Sequence, residues 1–160
     1  MPGGRVLDLA CGSGRHARYV ASLGHPVVAV DRDAAAIAGL QGLPGIVAER
    51  HDLEEGGWPL AGRSFAGVVV TNYLWRPRLP EVMALLAPGG VLIYETFMLG
   101  NERFGKPSNP DFLLRPHELL DWARGWGSVL AFEQGEIARP APAMIQRICA
   151  LRGDTLPVLP

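Results

Sequence analysis

A chain of 160 residues has the size of one domain, and folding buries about 70% of the surface such a chain exposes when unfolded, enough for one hydrophobic core. Hydrophobic residues make up 48% and charged residues 19%, below the usual ~25%, while 20 glycines and 14 prolines stay short of a collagen-like or disordered composition. With 15 basic and 16 acidic residues the net charge is −1, so no sequence-wide attraction to nucleic acid or to an anionic membrane is expected.

Short apolar runs rich in β-branched residues alternate with segments of helical spacing, the pattern of a parallel sheet covered by helices. The first run is residues 5–10 (RVLDLA). Residues 14–23 follow, with Ala17, Val20 and Ala21 at helical spacing and Gly24 placed to end the helix. Further runs lie at 26–30 (PVVAV), 46–50, 67–71 (GVVVT) and 90–97 (GVLIYETF). Continuous Val, Ile and Leu in the second, fourth and fifth runs predict strands buried on both faces. Residues 34–40 and 81–86 read as crossover helices, the latter stopped by Pro88, Gly89 and Gly90. Residues 100–110 hold Gly, Pro and Asn without an apolar period, as a functional lid loop would. Pro116 opens a helix toward Trp126, and residues 128–134 and 144–151 form two late strands around a turn at 139–142, too close together for a crossover and therefore antiparallel.

The longest uncharged stretch, residues 34–48, contains Pro44 and falls short of the ~20 apolar residues that cross a bilayer, so no membrane partner is expected. Arg5 and Asp8 lie where a secretory leader would be apolar, which predicts a cytoplasmic protein. Cys11 and Cys149 form no CxxC pair and the histidines are scattered, so neither a metal site nor a disulfide is expected.

The stretch VLDLACGSGRHA ends a buried strand and opens a helix, and Gly12, Gly14 and Ala17 fit the GxGxx(G/A) spacing of a ligand cradle. Gly12 is placed for a positive φ, Gly14 removes a side chain where a ligand would press on the helix start, and Ala17 allows the helix to approach the sheet. Asp31 ends the second strand 19 residues after Gly12, where a carboxylate meets ribose hydroxyls in nucleotide-type sites. Asp8, inside the first strand, would repel a pyrophosphate but attract the ammonium and sulfonium of S-adenosylmethionine; its simpler role would be to cap a backbone turn.

With these residues the chain resembles the class I S-adenosylmethionine-dependent methyltransferases over nearly its whole length. The resemblance implies one domain, residues 1–160, with a doubly wound, Rossmann-like sheet of seven strands in the order 3-2-1-4-5-7-6, the last antiparallel. It implies that Asp8, Gly12 and Gly14 hold the methionine part of the cofactor, that Asp31 binds the ribose, and that Asp52 and Leu53 read the adenine. Ala10, His16, Arg32, Thr71 and Asn72 complete the expected cofactor wall. Ala10 stands where the family often has glycine, and Ala66 where an Asp often precedes the fourth strand. The run LLAPGGVLIYETF with LLRPHELL is similar to small bacterial enzymes related to tellurite-resistance and thiopurine methyltransferases. Family members commonly carry a helical segment before the first strand; only Met1 to Gly4 precede it here, so that cap is expected to be missing and a homodimer partner is one way to cover the site.

After the fourth strand, TNYLWRP lacks the two prolines of adenine-type N-methyltransferases, which favours a small-molecule or metalloid acceptor over a nucleobase. Tyr73 and Trp75 either line an acceptor pocket or cover the core. Glu95, near the carboxyl end of the fifth strand, either takes a proton and positions an acceptor or bonds to the lid loop. Arg76, Arg78 and Arg115 either bind an anionic acceptor or pair with acidic neighbours. Two other functions remain open, a dinucleotide-dependent oxidoreductase and a cofactor-binding module without catalysis.

Overall fold

The computed structural model describes residues 4–153. Seven strands, β1 (Val6–Leu9), β2 (Val27–Asp31), β3 (Ile46–Arg50), β4 (Phe65–Thr71), β5 (Leu86–Phe97), β6 (Gly127–Ile137) and β7 (Ala143–Arg152), form one sheet in the order β3-β2-β1-β4-β5-β7-β6. The first five run parallel, and β7 pairs antiparallel with both β5 and β6. This is the doubly wound order expected from the resemblance. The helices are α1 (Arg15–Ser22), α2 (Ala34–Ala38), α3 (Leu79–Ala84) and α4 (Glu118–Ala123). The question of a segment before the first strand falls outside the described residues.

β1, β2 and β4 are buried along nearly their whole length because helices and loops cover both faces. On one face Leu7, Leu9, Val68, Val70, Leu92 and Tyr94 join the α3 and α4 side chains in the main core. On the other, Ala17, Ile37 and Leu40 pack on Val27 and Ala29.

β5 departs from expectation. Its burial alternates, with Leu92, Tyr94 and Thr96 buried but Ile93 43% exposed, because among the described residues α1 and α2 cover only the β1–β3 half of that face. Pro88, Gly89 and Gly90 do not separate helix from strand either. β5 begins at Leu86 and carries them through a shift of register between Phe65 and Gly67, with Gly89 at φ 73°. β4 likewise starts earlier than expected, so Ala66 lies within it and donates its N–H to the Arg5 carbonyl. The last helix starts at Glu118 rather than at Pro116, with His117 in the left-handed region at φ 63°.

Candidate functional site

Every parallel strand delivers its carboxyl end to the same edge of the sheet, and crossovers leave from there, so the loops after β1, β2, β3 and β4 converge. The turn between β1 and α1 is wound through positive φ at Ala10 (55°), Gly12 (52°) and Gly14 (76°). Gly12 takes the conformation expected of it, and a Cβ there would meet nothing within 4 Å, so its open side borders free space. Gly14 differs from expectation in its reason: a Cβ there would come 2.5 Å from Leu40 Cδ2, so the missing side chain admits the end of the second crossover rather than a ligand.

Two carboxylates fasten this turn. Asp31 Oδ2 accepts from the Gly12 N–H at 2.7 Å and Oδ1 from the Asp33 N–H at 2.9 Å. Asp8 Oδ2 accepts from the Ala17 N–H at 2.8 Å, so the capping role is present. Its other oxygen, Oδ1, is buried with no partner among the described residues. Burial pushes the Asp8 carboxyl from 3.8 up to about 7, and the neighbouring Asp31 charge adds to the rise. A buried carboxylate oxygen left without a donor is a costly feature unless a ligand supplies one.

A cavity of about 200 Å³ opens beside the turn. Of the expected cofactor residues, Ala10, Asp31, Arg32, Asp52, Leu53 and Asn72 line it. Asp52 Oδ1 accepts from the N–H groups of Glu54 (2.8 Å) and Glu55 (3.1 Å), which hold its carboxyl below the ordinary range. Tyr73, expected either to line an acceptor pocket or to cover the core, lines this cavity and packs against the main core, with its buried hydroxyl unpaired among the described residues and its pKa raised by burial. His51 and Glu54 also line it and were not expected; their place directly beside Asp52 and Leu53 was the available signal.

Asp8, Gly12, Gly14, His16 and Thr71 do not line this cavity; they belong to β1, the turn after it, the start of α1 and the end of β4. The His16 ring Nδ1 lies 3.2 Å from Thr71 Oγ1, joining α1 to the end of β4, and burial lowers its pKa. Ala10 and Asn72 (φ 54°), two of the non-glycine residues with positive φ, both line this cavity.

Asn72 also lines a second cavity, of about 400 Å³, together with Glu95. Its N–H donates to the Glu95 carbonyl at 2.9 Å, and the Tyr94 hydroxyl donates to the Tyr73 carbonyl at 2.7 Å, so the chain after β4 is held against β5. Glu95 Oε2 lies 3.5 Å from Arg147 Nη1, and the lid loop gives it no hydrogen bond. The three arginines considered for an anionic acceptor are paired. Arg76 binds Glu118 through two bonds (2.7 and 2.9 Å), Arg115 meets the same carboxylate at 3.4 Å, and Arg78 meets Glu81 at 3.1 Å. Arg76 also donates to the carbonyls of Asp111 and Leu113, so it ties down the segment that follows the 100–110 loop.

Strand order, glycine turn and acidic strand exits together define the nucleotide-cofactor methyltransferase class of α/β fold. The family profile described as a methyltransferase domain matches residues 6–90, and the chain belongs to that family. It is 36% identical over 112 residues to the protein-L-isoaspartate O-methyltransferase of Chlorobaculum tepidum, an alignment that covers 64% of this chain and 49% of that protein. The chain thus spans about half the length of this curated relative. Among solved structures, TehB from Haemophilus influenzae is similar with a TM-score of 0.72 at 21% identity, covering 95% of this chain and 58% of that one. An S-adenosylmethionine-dependent methyltransferase from Methanosarcina mazei gives 0.72 at 19% identity, covering 97% and 95%. S-adenosylmethionine is the cofactor of this family.

Proposed function

We propose that the chain binds S-adenosylmethionine at the glycine turn and first cavity and transfers its methyl group to a small-molecule or metalloid acceptor seated in the second. The observation that carries this reading is Asn72, a wall residue of both cavities, which makes them neighbours with a common partition.

The residues fit the cofactor. The orphaned Asp8 Oδ1, beneath the turn, would attract an amino acid ammonium seated above it. Asp31 lines the cavity and would receive the ribose hydroxyls with the acceptor capacity its bonds to Gly12 and Asp33 leave free, while Asp52 and Leu53 would border the adenine with Tyr73 against it. When bound, the cofactor supplies an electrophilic methyl group on a sulfonium. The chain supplies alignment, worth up to ~7–11 kcal/mol when the attack geometry is good. Asn72, fixed by its backbone bond to β5, positions the acceptor. For an acceptor that arrives protonated, Glu95 takes the proton onto its carboxylate; an already ionised one needs no base.

The same Asp8 argues against a dinucleotide oxidoreductase, because a pyrophosphate over the turn would meet a carboxylate. Calorimetric titration with S-adenosylhomocysteine and NADH tests the cofactor, and radiolabelled methyl transfer across thiols, tellurite, selenite, small amines and RNA tests the acceptor. NADH binding without a response to S-adenosylhomocysteine would overturn the reading. Cofactor binding with no transfer to any acceptor would leave a binding module, and efficient labelling of RNA would replace the acceptor class.

A further inference from the structure

The second cavity is assembled from parts far apart in sequence: the start of α1, the exits of β4 and β5, the lid loop, and the facing ends of β6 and β7. At about 400 Å³ it falls within the size range of small-ligand pockets. Phe97 and Phe104 supply much of its apolar wall. Asn101, 2% exposed, shapes one side but offers a ligand nothing. Its Nδ2 donates to the Pro107 carbonyl at 3.0 Å and its Oδ1 accepts from the Met144 N–H at 3.1 Å.

The charged groups left on the wall are unequal. Arg15 and Lys106 both line the cavity, and among the described residues neither makes a salt bridge. Arg15 has only a 3.4 Å contact with the His16 ring. The single wall carboxylate, Glu95, lies 3.5 Å from Arg147, which binds Glu133 more closely. Two cations without an ion-pair partner against one carboxylate give this partly apolar space a positive balance.

We infer that the second cavity takes an organic acid, its anionic group held by Lys106 and Arg15 and its apolar body lying on Phe97 and Phe104. This inference rests on the proposed transfer reaction for its purpose, though not for its geometry. The reacting atom of the acid lies at the Asn72 and Glu95 end, where the two cavities meet, and its charge lies at the lid. A bare metalloid oxyanion would satisfy the cations but leave the apolar wall without a partner, so the organic body is the part of the ligand that the wall selects.

The test uses octanoate, octan-1-ol and tellurite as probes, titrated by calorimetry into the full chain with and without saturating S-adenosylhomocysteine. Octanoate is expected to bind at least about tenfold more tightly than octan-1-ol, as expected for a charge-assisted bond. Lys106→Met is expected to remove that preference without changing octan-1-ol or S-adenosylhomocysteine binding, and Lys106→Arg to restore it. Lys106 is exposed, so these variants keep the fold. Equal binding of octanoate and octan-1-ol, an octanoate affinity indifferent to Lys106→Met, or competition in which tellurite displaces octanoate while binding more tightly would each overturn the inference. Octanoate binding that depends on Lys106 in a chain that ignores S-adenosylhomocysteine would uphold the cavity assignment and sink the transfer reaction, so the two failures are distinct.

Discussion

Changing Asp8 to asparagine separates what this carboxylate costs the fold from what it contributes to cofactor binding. Asp8 is 2% exposed, its Oδ1 has no partner, and burial raises its pKa from 3.8 to about 7. A carboxyl with a raised folded pKa adds stability that is fully present below pH 3.8 and is lost as the pH climbs through 7, because the folded chain then carries a buried charge. The loss across that window is on the order of 4 kcal/mol at 1.36 kcal/mol per unit of difference between the two pKa values. Asparagine keeps an acceptor for the Ala17 N–H and cannot ionise, at the expense of a buried amide donor. Urea unfolding of both proteins at pH 5.5, 7 and 8.5 isolates this group together with its coupling to neighbouring charges, since titrations not coupled to Asp8 cancel in the difference. The variant is expected to gain on the wild type as pH rises and to be ~1–3 kcal/mol more stable at pH 8.5. Binding should move the opposite way. Wild-type affinity for S-adenosylhomocysteine rises between pH 6 and 8 as Asp8 ionises to meet the ligand ammonium, and the variant binds at least about tenfold more weakly at pH 8 with no such rise. A stability difference that does not change with pH, or tight binding by the variant at pH 8, would refute the reasoning.

Asp31→Ala is expected to weaken S-adenosylhomocysteine binding by ~1.5–3 kcal/mol in calorimetry, because it removes the ribose acceptor together with the 2.7 Å anchor on Gly12; unchanged affinity would place the ribose elsewhere. Gly14→Ala meets a φ of 76° and a Cβ position 2.5 Å from Leu40 Cδ2, so denaturant unfolding should show a loss of ~2–4 kcal/mol. In a double-mutant cycle with Leu40→Ala the two losses should fail to add, and strict additivity would show that Leu40 is not what Gly14 accommodates. Arg76→Met leaves Glu118, 3% exposed, without its two-bond partner and is expected to cost ~1.5–3 kcal/mol and to speed hydrogen exchange at residues 111–115; exchange unchanged there would mean that this segment, which follows the 100–110 loop, is held by other contacts.

β1, β2 and β4 were legible in the sequence because burial on both faces excludes charge, and Asp8, a carboxylate in the middle of β1, marked the site by violating that rule. The fifth run carried the same signal and yet has Ile93 43% exposed. A strand's composition reports its tolerance for burial, whereas actual cover depends on whether another element reaches it, and α1 and α2 stop short of β5. Pro88, Gly89 and Gly90 misled for a related reason. A bulge uses the same residues as a helix stop, and the register against Phe65 and Gly67, set by β4, decides between them. Gly14 was legible as a place where something approaches closely, but the approaching group, Leu40, comes from 26 positions further along and no local pattern announces it.

The two halves of the site differed in legibility for a topological reason. Asp8, Gly12, Asp31, Asp52 and Asn72 lie within a few residues of strand ends, and parallel strands with helical crossovers must bring those ends to one edge, so finding the strands locates the residues. Arg15, Phe97, Phe104 and Lys106 meet only because the lid loop folds back and because the β6–β7 hairpin pairs antiparallel with β5, which sets the turn before Ala143 beside the exit of β5. Spacing along the chain carries no trace of that meeting. The division also separates what evolution can alter independently. Substitutions within residues 97–106 and around the β6–β7 turn change the wall of the second cavity while leaving the glycine turn and its two carboxylates untouched. Under the proposed function, a change of acceptor therefore need not disturb the cofactor end, and Asn72, shared by both cavities, is the position where such a change would first be felt on the other side.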